Sequence, residues 1–304
     1  MTTRQAIDPR AMGLMLALSL IWGLQQVALK ATAGDVAPLL LIAVRSGMAA
    51  LMVYALMRWR GEPLALRDGT WRPGMLVGAL FALEYLLVAE GLRQTSAAHI
   101  VVFLYTAPIF AAIGLHRKLP AERLRRLQWA GIGLAFAGIA LAFFGRAQAG
   151  ASMVGNMLWG DFLGLLAGAA WGATTVVVRT SSLNNTAATK TLLYQLVGAF
   201  VLLLSAAALS GQTGFRATPM LWANLLFQVL VVSFASFLVW FWLLRHYLAS
   251  QLGVFSFMTP LFGVAFGVWL LNEPLEPAFL AGALLVLAGI VMVSGHGWLR
   301  ARFA

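Results

Sequence analysis

Cysteine is absent from the 304 residues. No disulfide framework, thiol nucleophile or cysteine-ligated zinc can be built, and a metal or redox site would need other ligands. Acidic residues are scarce: ten Asp and Glu stand against 21 Lys and Arg, and charged residues together make up only 10% of the chain. Soluble domains carry roughly 25%, so a water-facing surface of ordinary size is excluded. The four histidines (His99, His116, His246, His296) are scattered without HExxH spacing, and there is no GxxxxGK[ST] loop for a nucleotide phosphate. An enzyme should show a nucleophile with an adjacent base or a metal-ligand cluster. Neither is visible, so no enzymatic chemistry, cofactor or metal is expected. The net charge of +11 would suit nucleic acid only if the basic residues shared a soluble face. Most stand in short clusters between apolar runs, where orientation against membrane lipids is the expected role and nucleic acid is not an expected partner.

What the chain has in abundance is apolar length: 61% hydrophobic residues and a mean hydropathy of +0.86. At about 20 apolar residues per crossing, ten spans are predicted, near 11–30, 37–57, 74–92, 97–116, 126–145, 158–178, 188–209, 221–244, 250–271 and 278–297. The basic start, apolar run and Ala31-Thr32-Ala33 imitate a cleaved signal peptide. The run is longer than the usual signal core of about 7–15 residues, and its removal would break an internal repeat, so the first span is kept.

That repeat sets Trp22-Gly23 on Trp171-Gly172 and Lys30 on Arg179 at an offset of 149. An offset of 152 sets Arg93 on Arg245, Tyr105 on Phe257, Pro108 on Pro260 and Phe110 on Phe262, and a slightly smaller one pairs Gly131 with Gly282 and Gly138 with Gly289. Five spans per copy is an odd number, so the second copy enters the membrane the opposite way up. The expected fold is an all-α integral membrane protein of ten transmembrane helices in two inverted five-helix repeats. The predicted segments are 1–10 (cytoplasmic start), 11–145 (first repeat), 146–157 (linker), 158–297 (second repeat) and 298–304 (cytoplasmic tail). With the N-terminus inside, sixteen Lys and Arg lie on inside segments and four (Lys30, Arg93, Arg146, Arg216) outside, while Arg45 falls within a span. This bias predicts that both termini are cytoplasmic.

Tyr105-Thr106-Ala107-Pro108-Ile109-Phe110 and Phe257-Met258-Thr259-Pro260-Leu261-Phe262 occupy matching places in the two copies. A proline removes a backbone donor and crowds the carbonyl four residues earlier. One alone is ordinary in a membrane helix; a matched pair points to the substrate site of a secondary carrier, with Pro108 and Pro260 as hinges for alternating access. Ionisable residues within spans are expensive unless paired or facing a cavity. Glu84 either binds a substrate ammonium or exchanges a proton, or it forms a structural bridge with Arg45. His99 either joins the cavity face of Tyr105 and Pro108 or is a satisfied interior histidine. Glu90 and Arg93 snorkel near a helix end, and Asp161 is expected to cap or favour the positive start of the sixth helix.

Trp59, Trp71, Trp129, Trp159, Trp222 and Trp298 fall near span ends, where interfacial anchoring explains them. Trp22, Tyr85, Tyr105, Trp171, Trp240 and Phe257 lie deeper. Taken singly, each suits packing; as a set they suit an apolar cavity with one or two polar handles for an uncharged or zwitterionic solute. Phosphate substrates would call for several inward Arg or Lys residues, and only Arg45 qualifies. Gly160, Gly164, Gly168 and Gly172 recur every four residues, and Gly74/Gly78 and Gly263/Gly267 repeat the spacing, as tight helix crossings require. Such faces would also suit a homodimer contact.

Leu20-Ile21-Trp22-Gly23 with Lys30, Arg45 in the second span, Thr95-Ser96-Ala97-Ala98 opening the fourth, Pro108 within it, and Asp161 followed by Ala169-Ala170-Trp171-Gly172 occur in that order. Over 11–297 the chain thereby resembles the ten-helix EamA-type branch of the drug/metabolite transporter superfamily, and within it the aromatic and neutral amino-acid exporters. Tyr194 stands where the first repeat has Arg45, a departure that leaves the two repeats chemically unequal. The resemblance implies a central cavity between inverted repeats and export of small organic metabolites, here amino acids, across the inner membrane. A broader drug or metabolite exporter is the alternative within transport, and a membrane enzyme or scaffold the alternative outside it.

Overall fold

A backbone in hydrocarbon has no water to bond with, so each crossing must satisfy its own N–H and C=O groups as a helix. The computed structural model describes residues 8–64, 68–120, 123–144, 151–247, 255–256 and 258–294. Its helices are α1 (Pro9–Ala31), α2 (Pro38–Trp59), α3 (Trp71–Gln94), α4 (Ala97–Leu104), α5 (Ala107–Lys118), α6 (Arg126–Phe144), α7 (Ala151–Thr180), α8 (Ala188–Leu209), α9 (Pro219–Leu226), a π-helical segment (Phe227–Ser236), α10 (Phe237–His246), α11 (Met258–Leu271) and α12 (Pro277–Ser294). Among the described residues, seven stretches are long and apolar enough to cross a membrane; α4–α5 count as one, and α9 with the π segment and the start of α10 as another. The shorter apolar helices α6, α11 and α12 complete the expected ten. Leu51, Met75, Val201 and Trp269 point outward from the bundle, an arrangement suited to lipid and an aggregation hazard in water.

Helix starts follow local chemistry. Asp8 caps α1 by accepting from Ala11 N–H at 2.7 Å, with Pro9 in the first turn. Ser96 caps α4 by accepting from His99 N–H at 3.1 Å, and Thr218 caps α9 in the same way through Leu221 N–H. The ends of α2 and α8 are copies of one another. Each closes on a left-handed glycine, Gly61 (φ 66°) and Gly211 (φ 70°). The next residue then donates back to the carbonyl five positions earlier, Glu62 to Met57 and Gln212 to Ala207, both at 2.9 Å. This is the Schellman stop, in which glycine removes the Cβ penalty of the left-handed turn. It recurs at equivalent places in the two repeats.

Packing expresses the inversion. α2 lies on α8 and α6 on α12, each helix against its own counterpart, while α1 packs on α11 as α7 packs on α4 and α5. A Cβ on Gly138 would meet the Gly282 carbonyl oxygen at 2.5 Å, and one on Gly282 would meet that of Gly138 at the same distance. α7 presents Gly160 to Thr95, Gly164 to Phe103, Gly168 to the carbonyls of Phe103 and Leu104, and Gly172 to Phe110. The loops obey the same exchange. At the end opposite α1's start, Asp35 accepts from Thr218 Oγ1 at 2.7 Å and Val36 bridges Phe215. At the near end, Asp68 accepts from Lys190 Nζ at 2.5 Å and the Gly69 carbonyl accepts from Ser182 Oγ.

Among the described residues, two crossings depart from regularity, one in each repeat. The fourth crossing stops at Leu104 and restarts at Ala107, with Thr106 Oγ1 donating to Phe103 O at 2.6 Å and Pro108 in the first turn of α5. The break thus precedes the proline, where its ring and missing donor cost least. Pro260 likewise sits in the first turn of α11. The third crossing of the second repeat widens into the π segment.

Candidate functional site

Arg45 is 1% exposed, in the third turn of α2. Its guanidinium lies over the Tyr85 ring of α3, 4.6 Å from the centroid, and Nη1 donates to Gln228 Oε1 of the π segment. Gln228 Nε2 donates to the Gln25 carbonyl of α1 at 3.1 Å, and Gln25 Nε2 donates to the Tyr85 hydroxyl at 3.2 Å. Four side chains from four helices therefore close a ring. Glu84 borders it within electrostatic reach of Arg45, yet its Oε2 has no hydrogen-bond partner, and neither has Arg45 Nε. Among the described residues the two make no ion pair within 4.0 Å; Arg45 spends its bonds on Tyr85 and Gln228 instead. Tyr105 lies beside Thr259 and within reach of Tyr85 and Glu84, with its ring edge-on to Trp171 at 5.2 Å. Tyr85 and Tyr105 are 5% and 6% exposed, so this centre is closed to solvent.

The remaining sequence candidates fall into two other groups. Trp22 Nε1 donates to Ser236 Oγ at 2.9 Å and its ring meets Trp240 edge-on at 5.6 Å. This pair belongs to a second apolar cluster with Met15, Leu18 and Leu243 near the start of α1. His99 does not join Tyr105. Its Nδ1 lies 3.0 Å from both oxygens of Asp161, its ring stacks on Phe279 at 3.7 Å, and both residues of the pair are buried. Thr95 Oγ1 also donates to Asp161, at 2.7 Å. The expectation that Asp161 favours a helix start is corrected: α7 begins at Ala151, so Asp161 is more than two turns inside, bound to α4 and to the end of α3. Phe257 lies outside the described residues.

The end opposite α1's start is tied both within the first repeat and across to the second. Lys30 Nζ donates to Leu92 O and, at 2.7 Å, to Thr95 O, while the Glu273 carboxylate accepts from Ala97 and Ala98 N–H at 2.7 and 3.0 Å. A surface groove of about 490 Å³ at this end, lined by Asp35, Arg93, Gln212 and Arg216 among others, is separate from the central ring.

The family profile described as the EamA-like transporter family matches twice, over residues 9–144 and 158–295, one match per repeat. The chain belongs to this family. Among its relatives, the uncharacterized transporter YoaV of Bacillus subtilis is 24% identical over 283 residues, spanning 91% of this chain and 94% of that protein. The uncharacterized transporter YvbV of the same organism is 26% identical over 293 residues, spanning 96% and 93%. A solved crystal structure shares the fold with a TM-score of 0.65 at 20% identity, covering 96% of this chain and 99% of the other.

Two members of the ring in this EamA-like transporter, Gln25 and Gln228, were missed by sequence reading, which searched ionisable and aromatic residues. The signal was available: a primary amide inside a span is costly unless bonded across helices, and both are almost fully buried. What spacing along a helix could not give is their meeting, since they stand 203 positions apart.

Proposed function

We propose that this EamA-like transporter exports aromatic and other neutral amino acids across the inner membrane, with both termini cytoplasmic, by alternating access around the Arg45–Glu84 centre. The observation that carries the reading is a buried guanidinium and a buried carboxyl group, each with a polar atom left unbonded, beside Tyr85, Tyr105 and Trp171. An unpaired buried charge is strongly unfavourable, so a ligand supplying the complement gains affinity. An amino-acid zwitterion brings both complements: a carboxylate for the guanidinium and an ammonium for Glu84. Aromatic walls then reward an apolar side chain.

Access requires opening a centre that is closed on both sides. Pro108, in the first turn of the restarted α5, and Pro260, near the start of α11, serve as the hinges, and the glycine face of α7 is the surface over which α4 and α5 slide. His99 supports the fourth crossing from Asp161 rather than touching the solute; Trp22 and Trp240 wall the path towards the terminus-bearing end.

Reconstitution into liposomes tests the reading. Uptake of labelled phenylalanine should saturate and be inhibited by unlabelled tryptophan and, more weakly, by threonine, but not by a cationic dye. Inhibition by the dye alone would favour a broad drug/metabolite exporter, and no flux of any solute would remove the carrier reading.

A further inference from the structure

The bond between Arg45 and Gln228 is chemically incomplete. A guanidinium offers a planar fork of five N–H donors matched to a carboxylate's two oxygens. Gln228 supplies one neutral amide oxygen to Nη1, and Nε is left without a partner. A carboxylate reaching the same guanidinium can take Nε and an Nη together, in bonds roughly twice as strong as those to a neutral acceptor. Gln228 therefore holds the place of one carboxylate oxygen and is the weaker occupant of it.

The backbone carrying Gln228 supplies a second, independent observation. Gln228 is the second residue of the π segment Phe227–Ser236, whose turns each hold one residue more than an α-helix needs. Letting that extra residue out changes the register by one position, which turns side chains by about 100° around the helix axis. The same segment ends at Ser236, which holds Trp22, and Gln228 also holds the Gln25 carbonyl on that helix. A register change here would move Gln228 off Arg45 and loosen both attachments to α1 at once, without unfolding α10.

We propose that Gln228 is an internal competitor for Arg45, holding the position that a ligand carboxylate takes, and that the π segment provides the register slack by which it withdraws. This rests on the amino-acid reading of the site. It makes Gln228 a specificity-determining residue: it sets how strongly a ligand's carboxylate must bind before the centre engages.

The test compares phenylalanine with phenylalaninamide, in which the carboxylate is a neutral amide, as ligands of purified full-length wild type, Gln228→Glu and Gln228→Ala. Gln228→Glu places a full carboxylate on Arg45 and should weaken phenylalanine about tenfold or more, while phenylalaninamide shifts by less than about threefold. Gln228→Ala removes the competitor and should tighten phenylalanine binding relative to phenylalaninamide. Retained binding of the amide doubles as the check that each variant is folded. Parallel shifts of both ligands, or no shift of either, would overturn the competitor role and leave the amino-acid reading standing. Absence of saturable phenylalanine binding by wild type would overturn both.

Discussion

Where the first repeat carries Arg45 and Glu84, the second carries Tyr194 and Ser236 at the matching positions. The second pair is fully occupied. Ser236 accepts from Trp22 and donates to Val232 O at 2.5 Å; the Tyr194 hydroxyl lies 3.2 Å from Thr70 Oγ1 and its ring fills the space beside Gly74. The first pair is ionisable, buried and left with unmet atoms. Around them the scaffold is nearly the same in both halves, down to matching glycine stops and reciprocal glycine crossings. Duplication with inversion has thus kept the parts that hold helices together, while at this matched pair only the first half carries ionisable side chains of the Arg and Glu kind. Ionisable groups buried in hydrocarbon are costly to keep for packing alone, and this asymmetry supports the proposal that Arg45 and Glu84 form the site.

Breaking that contrast is most direct at its charged pole. Arg45→Met removes the guanidinium that holds Gln228 and lies over Tyr85, and should reduce phenylalanine flux in proteoliposomes by about a hundredfold or more. Tyr194→Phe should stay within about threefold of wild type. Equal losses at the two positions would dissolve the comparison.

The symmetric part of the scaffold can be sharpened separately. Gly138→Ala and Gly282→Ala each push a methyl group against the other's carbonyl, and overpacking of this kind costs about 1–3 kcal/mol. Melting in detergent should show similar losses for the two variants, while Gly13→Ala, which meets nothing within 4 Å, should not destabilise. Clearly unequal losses at Gly138 and Gly282 would break the reciprocal crossing.

Glu84→Gln keeps shape and removes the titratable group. Flux should fall about tenfold with its pH dependence lost, whereas Ser236→Ala should cost less than about threefold. A Glu84→Gln profile that tracks wild type across pH would remove Glu84 from the chemistry.

The smallest effect belongs to the loop clasp. Hydrogen bonds from Lys190 and then Thr70 hold the Asp68 carboxyl down from 3.8 to about 2. A depressed carboxyl stabilises the fold above its ordinary value and loses that contribution as pH falls through the folded one. Asp68→Asn should therefore lower the melting temperature slightly at neutral pH, by an amount that shrinks between pH 3.8 and about 2. A deficit independent of pH across that range would assign the effect to packing.

Much of the architecture was legible because it is written locally. Apolar length marked the crossings, and glycine period marked faces that do meet, as Gly164 to Gly172 on α4–α5 show. The start of the sixth helix was not legible: residues before 158 looked like linker, yet α7 begins at Ala151 and carries Asp161 into the interior. Nor was the break before Pro108, since proline announces a disturbance and the surrounding packing chooses which peptide yields.

Hydropathy, an odd number of spans per copy and the offset pairs were enough to determine ten helices in two inverted repeats, since each is a property of the chain read in one dimension. Tertiary structure alone decided that Gln25 and Gln228 complete the ring around Arg45, that His99 turns to Asp161 and Phe279, and that the third helix of the second repeat widens into a π segment. The physical reason is that these outcomes depend on which side chains from distant helices arrive within hydrogen-bonding distance, and the spacing along any single helix carries no record of its neighbours.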